Sequence, residues 1–265
     1  MLKVFRGRRH FAHLFYGDST HLINVFLNKV GRFDSIHLVD DGAATLHRAH
    51  QIATRVLHRQ RKNFTPRGRL GTALQAGLGL SPMFLYRARF FTFYPISQPE
   101  LAGTIDRNEL AFCKSRIGEK PRTGEVWFIG SDIRREVLAR REDYDAFLEQ
   151  VHRRIDLSKV VYIPHRKEPD DYLAEISKRY SMEVRRLEAI LELELVNAPT
   201  LPKAFVSFTS SALDTIDLLI KPPITVFRIP QGAIRDILRA KYDEVYDAMA
   251  RKGFNIVDLD MPATA

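Results

Sequence analysis

The sequence predicts an α/β fold whose C-terminal half, from about Thr123 onward, is a Rossmann-like parallel sheet. Apolar runs of strand length alternate with amphipathic segments of helical length throughout this half. Glycine, proline, serine and aspartate residues separate these segments, as is typical of turns between strands and helices. Strands that alternate with helices at this spacing indicate a parallel sheet with helices on both faces.

The N-terminal elements are predicted from shorter apolar runs that end in turn residues. Phe11–Tyr16 and Ser35–Val39 are predicted as strands, and residues 43–60 as a helix, because apolar residues recur there at helical spacing. The aromatic and arginine-rich segment 84–96 is compatible with one or two strands. Several proline and glycine residues follow, so we place an interdomain linker near Phe93–Thr123.

The C-terminal elements follow in regular alternation, with strands rich in β-branched and aromatic residues and helices with an apolar stripe. The predicted strands are Glu125–Ser131, Lys159–His165, Met182–Glu188, Ala204–Ser210 and Ile224–Ile229. The predicted helices are Tyr144–Ile155, Asp170–Arg179, Ala189–Leu195, Ser211–Leu219 and Ile234–Lys252.

The composition limits the partners and the compartment. The 265 residues carry a net charge of +9, which favours an acidic partner such as nucleic acid, an anionic membrane surface, or phosphorylated or acidic sugars. The single cysteine, Cys113, excludes an intrachain disulfide and a cysteine-based zinc site. No apolar run reaches the ~20 residues of a membrane span, and no signal peptide is recognised. We therefore expect a cytoplasmic protein, either soluble or held peripherally on the inner face of the membrane.

Two strand ends carry short motifs that are ordinary turns when each is taken alone. Asp40-Asp41-Gly42 follows an apolar run, and Asp-Gly is common turn chemistry, but a carboxylate at a strand end can also serve as a general base. Gly130-Ser131 follows another strand, where a glycine lets the chain turn or lets the backbone approach a ligand. Ligands of open parallel sheets bind beyond these carboxyl ends.

Two further strand ends carry groups that suit a phosphate. His165 and Arg166 follow a buried strand and form either a solvated basic turn or a phosphate contact, in which the imidazole can also protonate a leaving group. Ser210 and Ser211 stand between a strand and a helix. With Asp214 they resemble a capping box, and they equally suit a phosphate at the helix N-terminus. The sequence leaves both interpretations open.

Together these motifs resemble those of bacterial sialyltransferases, in particular the lipooligosaccharide sialyltransferase and capsular polysialyltransferase families. Those families share Asp/Glu-Asp-Gly, His-Pro and Ser-Ser/Thr motifs in this order. The corresponding residues are Asp40-Asp41-Gly42, His165-Arg166 and Ser210-Ser211. The resemblance is best from Val126 to Ile229 and around the first motif, and Arg166 replaces the proline of the second.

The resemblance implies a GT-B fold of two Rossmann-like domains, with residues 1–110 as a short acceptor-side domain and residues 123–265 as the nucleotide-sugar domain. It also implies an inverting, metal-independent transfer of sialic acid from CMP-sialic acid, without a further cofactor, to a glycan or glycolipid hydroxyl in capsule or other surface-polysaccharide biosynthesis. Because only about forty residues precede the first motif, we expect that the N-terminal domain is incomplete and that the chain is truncated.

The resemblance also implies the roles of single residues. Asp40 or Asp41 would be the general base that takes the acceptor's proton. His165 would contact the CMP phosphate and act as the acid toward the leaving group. The serine pair would hold that phosphate, and Gly130 and Ser131 would lie against the nucleotide.

Two alternative functions remain open from the sequence. A transferase of the CDP-glycerol type also uses a GT-B-like C-terminal half with a serine-rich strand-to-helix turn. Residues 59–69 are strongly basic, and Phe84–Tyr94 interleaves arginines with aromatic residues. These two segments would suit a protein that binds single-stranded nucleic acid or an anionic membrane. We regard nucleic acid as the less favoured partner, because no RNA-binding signature accompanies the segments.

Overall fold

A computed structural model describes residues 9–17, 26–27, 31–40, 44–55 and 82–262 of the chain. The chain divides into two compact units, Met1–Leu110 and Ala111–Ala265. Both units are mixed α/β structures built on parallel sheets, as a Rossmann-like fold requires. Among the residues described, no helix is long and apolar enough to cross a membrane.

The first unit contains a four-stranded parallel sheet whose strand order follows the sequence. Its strands are β1 (Arg9–Tyr16), β2 (Gly31–Val39), β3 (Arg89–Thr92) and β4 (Ile105–Arg107). Helix α1 (Ala44–Ala53) and two 3₁₀ turns, Pro82–Arg87 and Pro99–Thr104, complete the elements described. Apolar side chains from one face of the sheet form a core with α1 and the two turns. The buried members include Tyr16, Leu38, Ala49, Ile52, Leu85, Phe90 and Leu101.

The structure confirms the two N-terminal strands and the start of the following helix, although β1 and β2 begin earlier than predicted. The helix ends at Ala53, and residues 56–60 of its predicted range lie outside the residues described. The segment 84–96 contains one strand, β3, preceded by a 3₁₀ turn. The stretch Phe93–Thr123, where we predicted a linker, contains the boundary between the two units after Leu110, and it also forms a 3₁₀ turn, β4 and the first helix of the second unit.

The second unit contains a six-stranded parallel sheet in the order β10-β9-β8-β5-β6-β7. Its strands are β5 (Val126–Ile129), β6 (Val160–Ile163), β7 (Glu183–Val184), β8 (Ala204–Ser207), β9 (Ile224–Arg228) and β10 (Asn255–Asp258). Its helices are α2 (Ala111–Ile117), α3 (Ile133–Glu136), α4 (Asp143–His152), α5 (Asp170–Tyr180), α6 (Leu191–Asn197), α7 (Ala212–Ile220) and α8 (Arg239–Arg251). The central strands are short apolar runs because a parallel sheet is covered on both faces.

Local sequence explains where several of these elements end. Helix α5 has Asp170 and Asp171 in its first turn and two cations in its last, which complements the helix dipole. It ends at Tyr180, and the next residue, Ser181, adopts a left-handed conformation with φ of 51°. In the centre of the sheet, the buried Ser207 hydroxyl of β8 donates a 2.7 Å hydrogen bond to the carbonyl of Ile129 in β5.

The predicted order of strands and helices in the second unit is confirmed, with three corrections. The strand predicted at Met182–Glu188 pairs over only two residues, Glu183 and Val184, and the Arg185 backbone N–H adds one further hydrogen bond to the carbonyl of Tyr162. The last helix begins at Arg239 rather than Ile234, since a 3₁₀ turn precedes it. The final strand, β10, and the short helices α2 and α3 were not predicted.

Candidate functional site

Three of the sequence-predicted motifs lie at one edge of the second sheet. Strand β5 is hydrogen-bonded to β6 on one side and to β8 on the other, and all three strands are parallel. Their carboxyl ends therefore meet at the same edge. Gly130 and Ser131 follow β5, His165 follows β6, and Ser210 follows β8.

Gly130 allows the segment after β6 to close tightly on the end of β5. A Cβ atom at this position would lie 2.6 Å from Glu168 Oε2, 2.9 Å from the Tyr162 hydroxyl and 3.0 Å from the backbone nitrogen of His165. The backbone N–H of Gly130 donates a 2.8 Å hydrogen bond to the carbonyl of Ile163. This glycine is therefore needed for close approach, and a side chain cannot be added without movement of its neighbours.

The two residues after Gly130 bring enclosed polar groups to this edge. Within the part of the chain that is described, Ser131 Oγ is buried and has no hydrogen-bond partner. The Asp132 side chain is 8% exposed, and its carboxylate lies 3.6 Å from Lys167 Nζ. We did not single out Asp132 from the sequence, because a lone aspartate after Gly-Ser carries no signal there.

His165 is partly buried beside these groups. Burial lowers the pKa of its imidazole, with Lys167 and Arg166 adding to this effect and Asp132 opposing it. The backbone N–H of Lys167 donates to His165 Nδ1 at 3.3 Å. That bond assigns the neutral ring the tautomer with its proton on Nε2, so Nε2–H is the group left to donate to a ligand.

Glu168 was also not singled out from the sequence, although it stands three residues after His165. Its side chain is buried and accepts hydrogen bonds from the Tyr162 hydroxyl at 2.7 Å and from the backbone N–H of His165 at 2.6 Å. Burial raises the pKa of this carboxyl group, while both hydrogen bonds oppose the increase.

The serine pair does not form the capping box. Ser210 Oγ accepts a 3.3 Å hydrogen bond from the backbone N–H of Ala212, whereas the side chain of Ser211 is exposed and makes no capping bond. The Asp214 carboxylate lies 2.5 Å from Lys252 Nζ, and it does not accept the hydrogen bond from the backbone at the start of α7 that a capping box requires. The capping-box interpretation is therefore wrong, and the hydroxyl of Ser211 faces solvent at the start of α7. Arg166 is exposed as well.

Asp40 is the part of the first motif that the structure describes, and Asp41 and Gly42 lie outside the residues described. Asp40 directly follows β2 in the first unit. The buried Thr92 hydroxyl at the end of the neighbouring strand β3 donates to its Oδ1 atom, and the backbone N–H of Phe93 donates to Oδ2 at 2.8 Å. These two bonds fix the orientation of a partly exposed carboxylate at the carboxyl edge of this sheet.

A cavity of the second unit lies at the opposite edge of its sheet. Residues that precede β5, β8 and β9 line it, among them Arg122, Leu201 and Lys221. Two of its cations already bind main-chain carbonyls, since Lys120 caps the end of α6 and Arg122 binds the carbonyl of Ile220 at 2.7 Å. This cavity is separate from the strand ends that carry the motifs. In the described stretches, no three His, Cys, Asp or Glu side chains group as metal ligands.

The comparisons with known proteins identify a similar fold. No family model and no curated protein matches the chain. The fold is similar to that of a solved bacterial sialyltransferase.

That structure is the α/β-galactoside α-2,3-sialyltransferase of the luminous marine bacterium Photobacterium phosphoreum. The match has a TM-score of 0.52 and 12% sequence identity, and it covers 97% of this chain and 81% of the sialyltransferase chain. Similarity at this level of identity establishes the fold, which is the mixed α/β architecture of parallel sheets described above.

Proposed function

We propose that the protein is a sialyltransferase of the GT-B type that transfers sialic acid from CMP-sialic acid to a hydroxyl of a cell-surface glycan. One observation carries the proposal. On a fold similar to that of a sialyltransferase, the ends of three adjacent strands bring Gly130-Ser131, His165 and Ser210 to one edge of the second sheet. Hydroxyl, imidazole and backbone donors at such an edge suit a nucleotide phosphate.

The second unit is proposed to bind the donor. The unpartnered Ser131 hydroxyl, the hydroxyls of Ser210 and Ser211, and the His165 Nε2–H would donate to the phosphate and the nucleotide. The exposed guanidinium of Arg166 would add a charge-assisted contact, which a proline at this position could not supply. A bound phosphate favours the protonated imidazole, so it would raise the pKa of His165, which burial lowers in the free protein.

The first unit is proposed to act on the acceptor through Asp40 or Asp41. The carboxylate takes the proton of the acceptor hydroxyl while the acceptor oxygen bonds to the anomeric carbon of sialic acid. The bond from that carbon to the phosphate oxygen breaks, and its electron pair leaves with CMP. The protonated His165 stabilises or protonates the departing phosphate, and attack from the opposite face inverts the anomeric centre. No step requires a metal ion, so we expect activity to withstand chelators.

The charge of the chain also fits this proposal. A net charge of +9 favours anionic partners, and both the nucleotide sugar and an anionic membrane that carries glycolipid acceptors are such partners. We therefore propose a glycan or glycolipid of capsule or lipooligosaccharide biosynthesis as the acceptor class.

A nucleotide-binding screen by calorimetry with CMP, CDP, UDP and GDP tests the donor assignment. We expect CMP to bind and the other three to bind more weakly, and we expect transfer from CMP-sialic acid but not from CDP-glycerol. Asp40→Ala or Asp41→Ala should abolish transfer and leave CMP binding nearly unchanged. His165→Ala, or Ser210→Ala with Ser211→Ala, should weaken CMP binding as well. Wild-type protein that binds no CMP would contradict the proposal.

Calorimetry in buffers of different ionisation enthalpy gives an independent check. Because a phosphate should raise the pKa of His165, CMP binding near neutral pH should take up protons, and His165→Ala should remove this uptake. CMP binding without proton uptake would exclude contact between His165 and the phosphate.

A further inference from the structure

A buried carboxyl group holds the turn that carries His165. Glu168 is 8% exposed, and each of its carboxyl oxygens accepts one hydrogen bond. Oε1 accepts from the Tyr162 hydroxyl at 2.7 Å, and Oε2 accepts from the backbone N–H of His165 at 2.6 Å. The backbone N–H of Glu168 returns a 2.9 Å bond to the carbonyl of His165. Two bonds of opposite direction thus close residues 165–168 into one turn.

A chain of hydrogen bonds connects this carboxyl group to the core of the unit. The Tyr162 hydroxyl lies 3.1 Å from the Tyr144 hydroxyl, and both rings are buried. Since Tyr162 donates to Glu168, Tyr144 donates to Tyr162. Burial of an ionisable group is costly, and an apolar side chain would avoid that cost. An apolar side chain could not, however, accept from a core hydroxyl and from the His165 backbone at once.

Neighbouring elements hold the same turn from two other directions. Arg186 donates a 2.7 Å hydrogen bond to the carbonyl of Glu168, and Lys167 Nζ lies 2.9 Å from Glu136 at the end of α3. On the third side, Gly130 leaves no space between the end of β5 and the Glu168 carboxyl group. The carboxyl group is therefore confined, and it in turn confines the backbone of His165.

We infer that Glu168 is a positioning residue for the proposed transfer reaction, and that it acts through His165. By binding the backbone N–H of His165, it fixes the imidazole at the edge of the sheet where the donor phosphate is proposed to bind. Glu168 is itself too buried to touch the donor. The identity of the ligand rests on the proposed function, whereas the hold on His165 is a property of this turn.

A double-mutant cycle with Glu168→Gln and His165→Ala tests this inference. Glutamine keeps the size of the side chain but removes the charge that strengthens its bond to the His165 N–H. We expect Glu168→Gln to weaken CMP binding about tenfold, as loss of a charge-assisted hydrogen bond would. If Glu168 acts only through His165, the double variant should bind CMP no more weakly than His165→Ala alone.

The matched control is Glu175→Gln, which removes the same charge from an exposed position of α5. It should leave CMP affinity within about twofold of wild type, because single exposed charges contribute little. Melting temperatures of all variants show whether each is folded. If the losses of CMP affinity in the two single variants multiply in the double variant, Glu168 acts independently of His165 and the inference is overturned. The proposed function would stay intact in that case, because the wild type still binds CMP.

Nuclear magnetic resonance gives a readout that does not depend on CMP. The amide proton of His165 should be strongly deshielded by its short bond to the carboxylate, and Glu168→Gln should move it upfield and change the imidazole titration. Tyr162→Phe should move it less, since it leaves the Glu168–His165 bond in place. An unchanged His165 amide and titration in Glu168→Gln would refute the positioning role. If Glu168→Gln shifts the His165 amide but the wild type binds no CMP, the positioning role of Glu168 stands and CMP is excluded as the ligand.

Discussion

Replacing Gly130 with alanine should destabilise the second unit, although it adds only one methyl group. The new Cβ atom would meet Glu168 Oε2 at 2.6 Å, the Tyr162 hydroxyl at 2.9 Å and the His165 backbone nitrogen at 3.0 Å. None of these atoms is the free end of a flexible side chain, because the carboxyl group is tied by two hydrogen bonds and the third atom is backbone. The substitution must therefore move the turn or break its bonds.

The magnitude follows from these two costs. Overpacking a close-packed site costs about 1–3 kcal/mol, and each lost hydrogen bond to the carboxylate adds up to about 1.5–3 kcal/mol. The two costs do not add in full, because a small movement of the turn relieves part of the overpacking while it weakens the hydrogen bonds. We therefore expect Gly130→Ala to lower the free energy of unfolding by about 2–4 kcal/mol in urea titrations. CMP affinity should fall as well, since the backbone of His165 is displaced.

Gly124→Ala is the matched control, because it makes the same change just before the other end of β5. No heavy atom lies within 4 Å of the Cβ position at Gly124, and its backbone is outside the left-handed region. Its alanine should be neutral or stabilise by about 0.4–1 kcal/mol through the unfolded state. A cost of Gly130→Ala below about 0.5 kcal/mol, which is the range of ordinary surface substitutions, would show that the turn accepts a Cβ atom without strain.

Three other outcomes are expected. Thr92→Val removes the hydroxyl that orients Asp40, so transfer should fall by about tenfold or more at unchanged CMP affinity; a change in CMP affinity alone would contradict this. Burial raises the pKa of Glu168, so its stabilising contribution is present at low pH and is lost as pH rises through that raised value. The stability of the wild type relative to Glu168→Gln should therefore fall as pH rises above the ordinary titration range of a glutamate, and parallel pH dependences of the two proteins would exclude the shift. Lys120→Met should cost about 1–3 kcal/mol, because Lys120 Nζ binds three carbonyls at the end of α6. Equal stability of Lys120→Met and of the exposed control Lys203→Met would contradict that contribution.

The alternation of strands and helices could be predicted because the second unit buries its central strands on both faces. Strands such as Val160–Ile163 are consequently continuous apolar runs, which a single sequence reveals. Edge strands give a weaker signal. Glu183–Val184 pairs along one side only, and Asn255–Asp258 is polar at both ends, so pairing rather than composition decides their length.

The polar residues at the site could be predicted only where the type of residue was itself unusual. His165 and the serine pair stand out at the ends of apolar strands, and the sheet topology brings them to one edge. Glu168 and Asp132 do not stand out, because acidic residues after a strand are ordinarily solvated. Glu168 is enclosed by Tyr162 and by Gly130, which lies more than thirty residues away from it in the chain. Asp132 is contacted by the similarly distant Lys167.

Asp40 is proposed as a general base and Glu168 as a positioning residue. The two carboxyl groups differ in burial and not in their hydrogen-bond pattern. Both follow a strand of a parallel sheet, and both accept one bond from a hydroxyl and one from a backbone N–H. Asp40 remains partly exposed, so an acceptor hydroxyl can reach it. Glu168 is 8% exposed, and both of its carboxyl oxygens are taken up by the bonds that hold the turn. A general base must touch the proton that it removes. The same binding pattern therefore suits Asp40 for proton transfer and suits Glu168 only for holding the turn around His165.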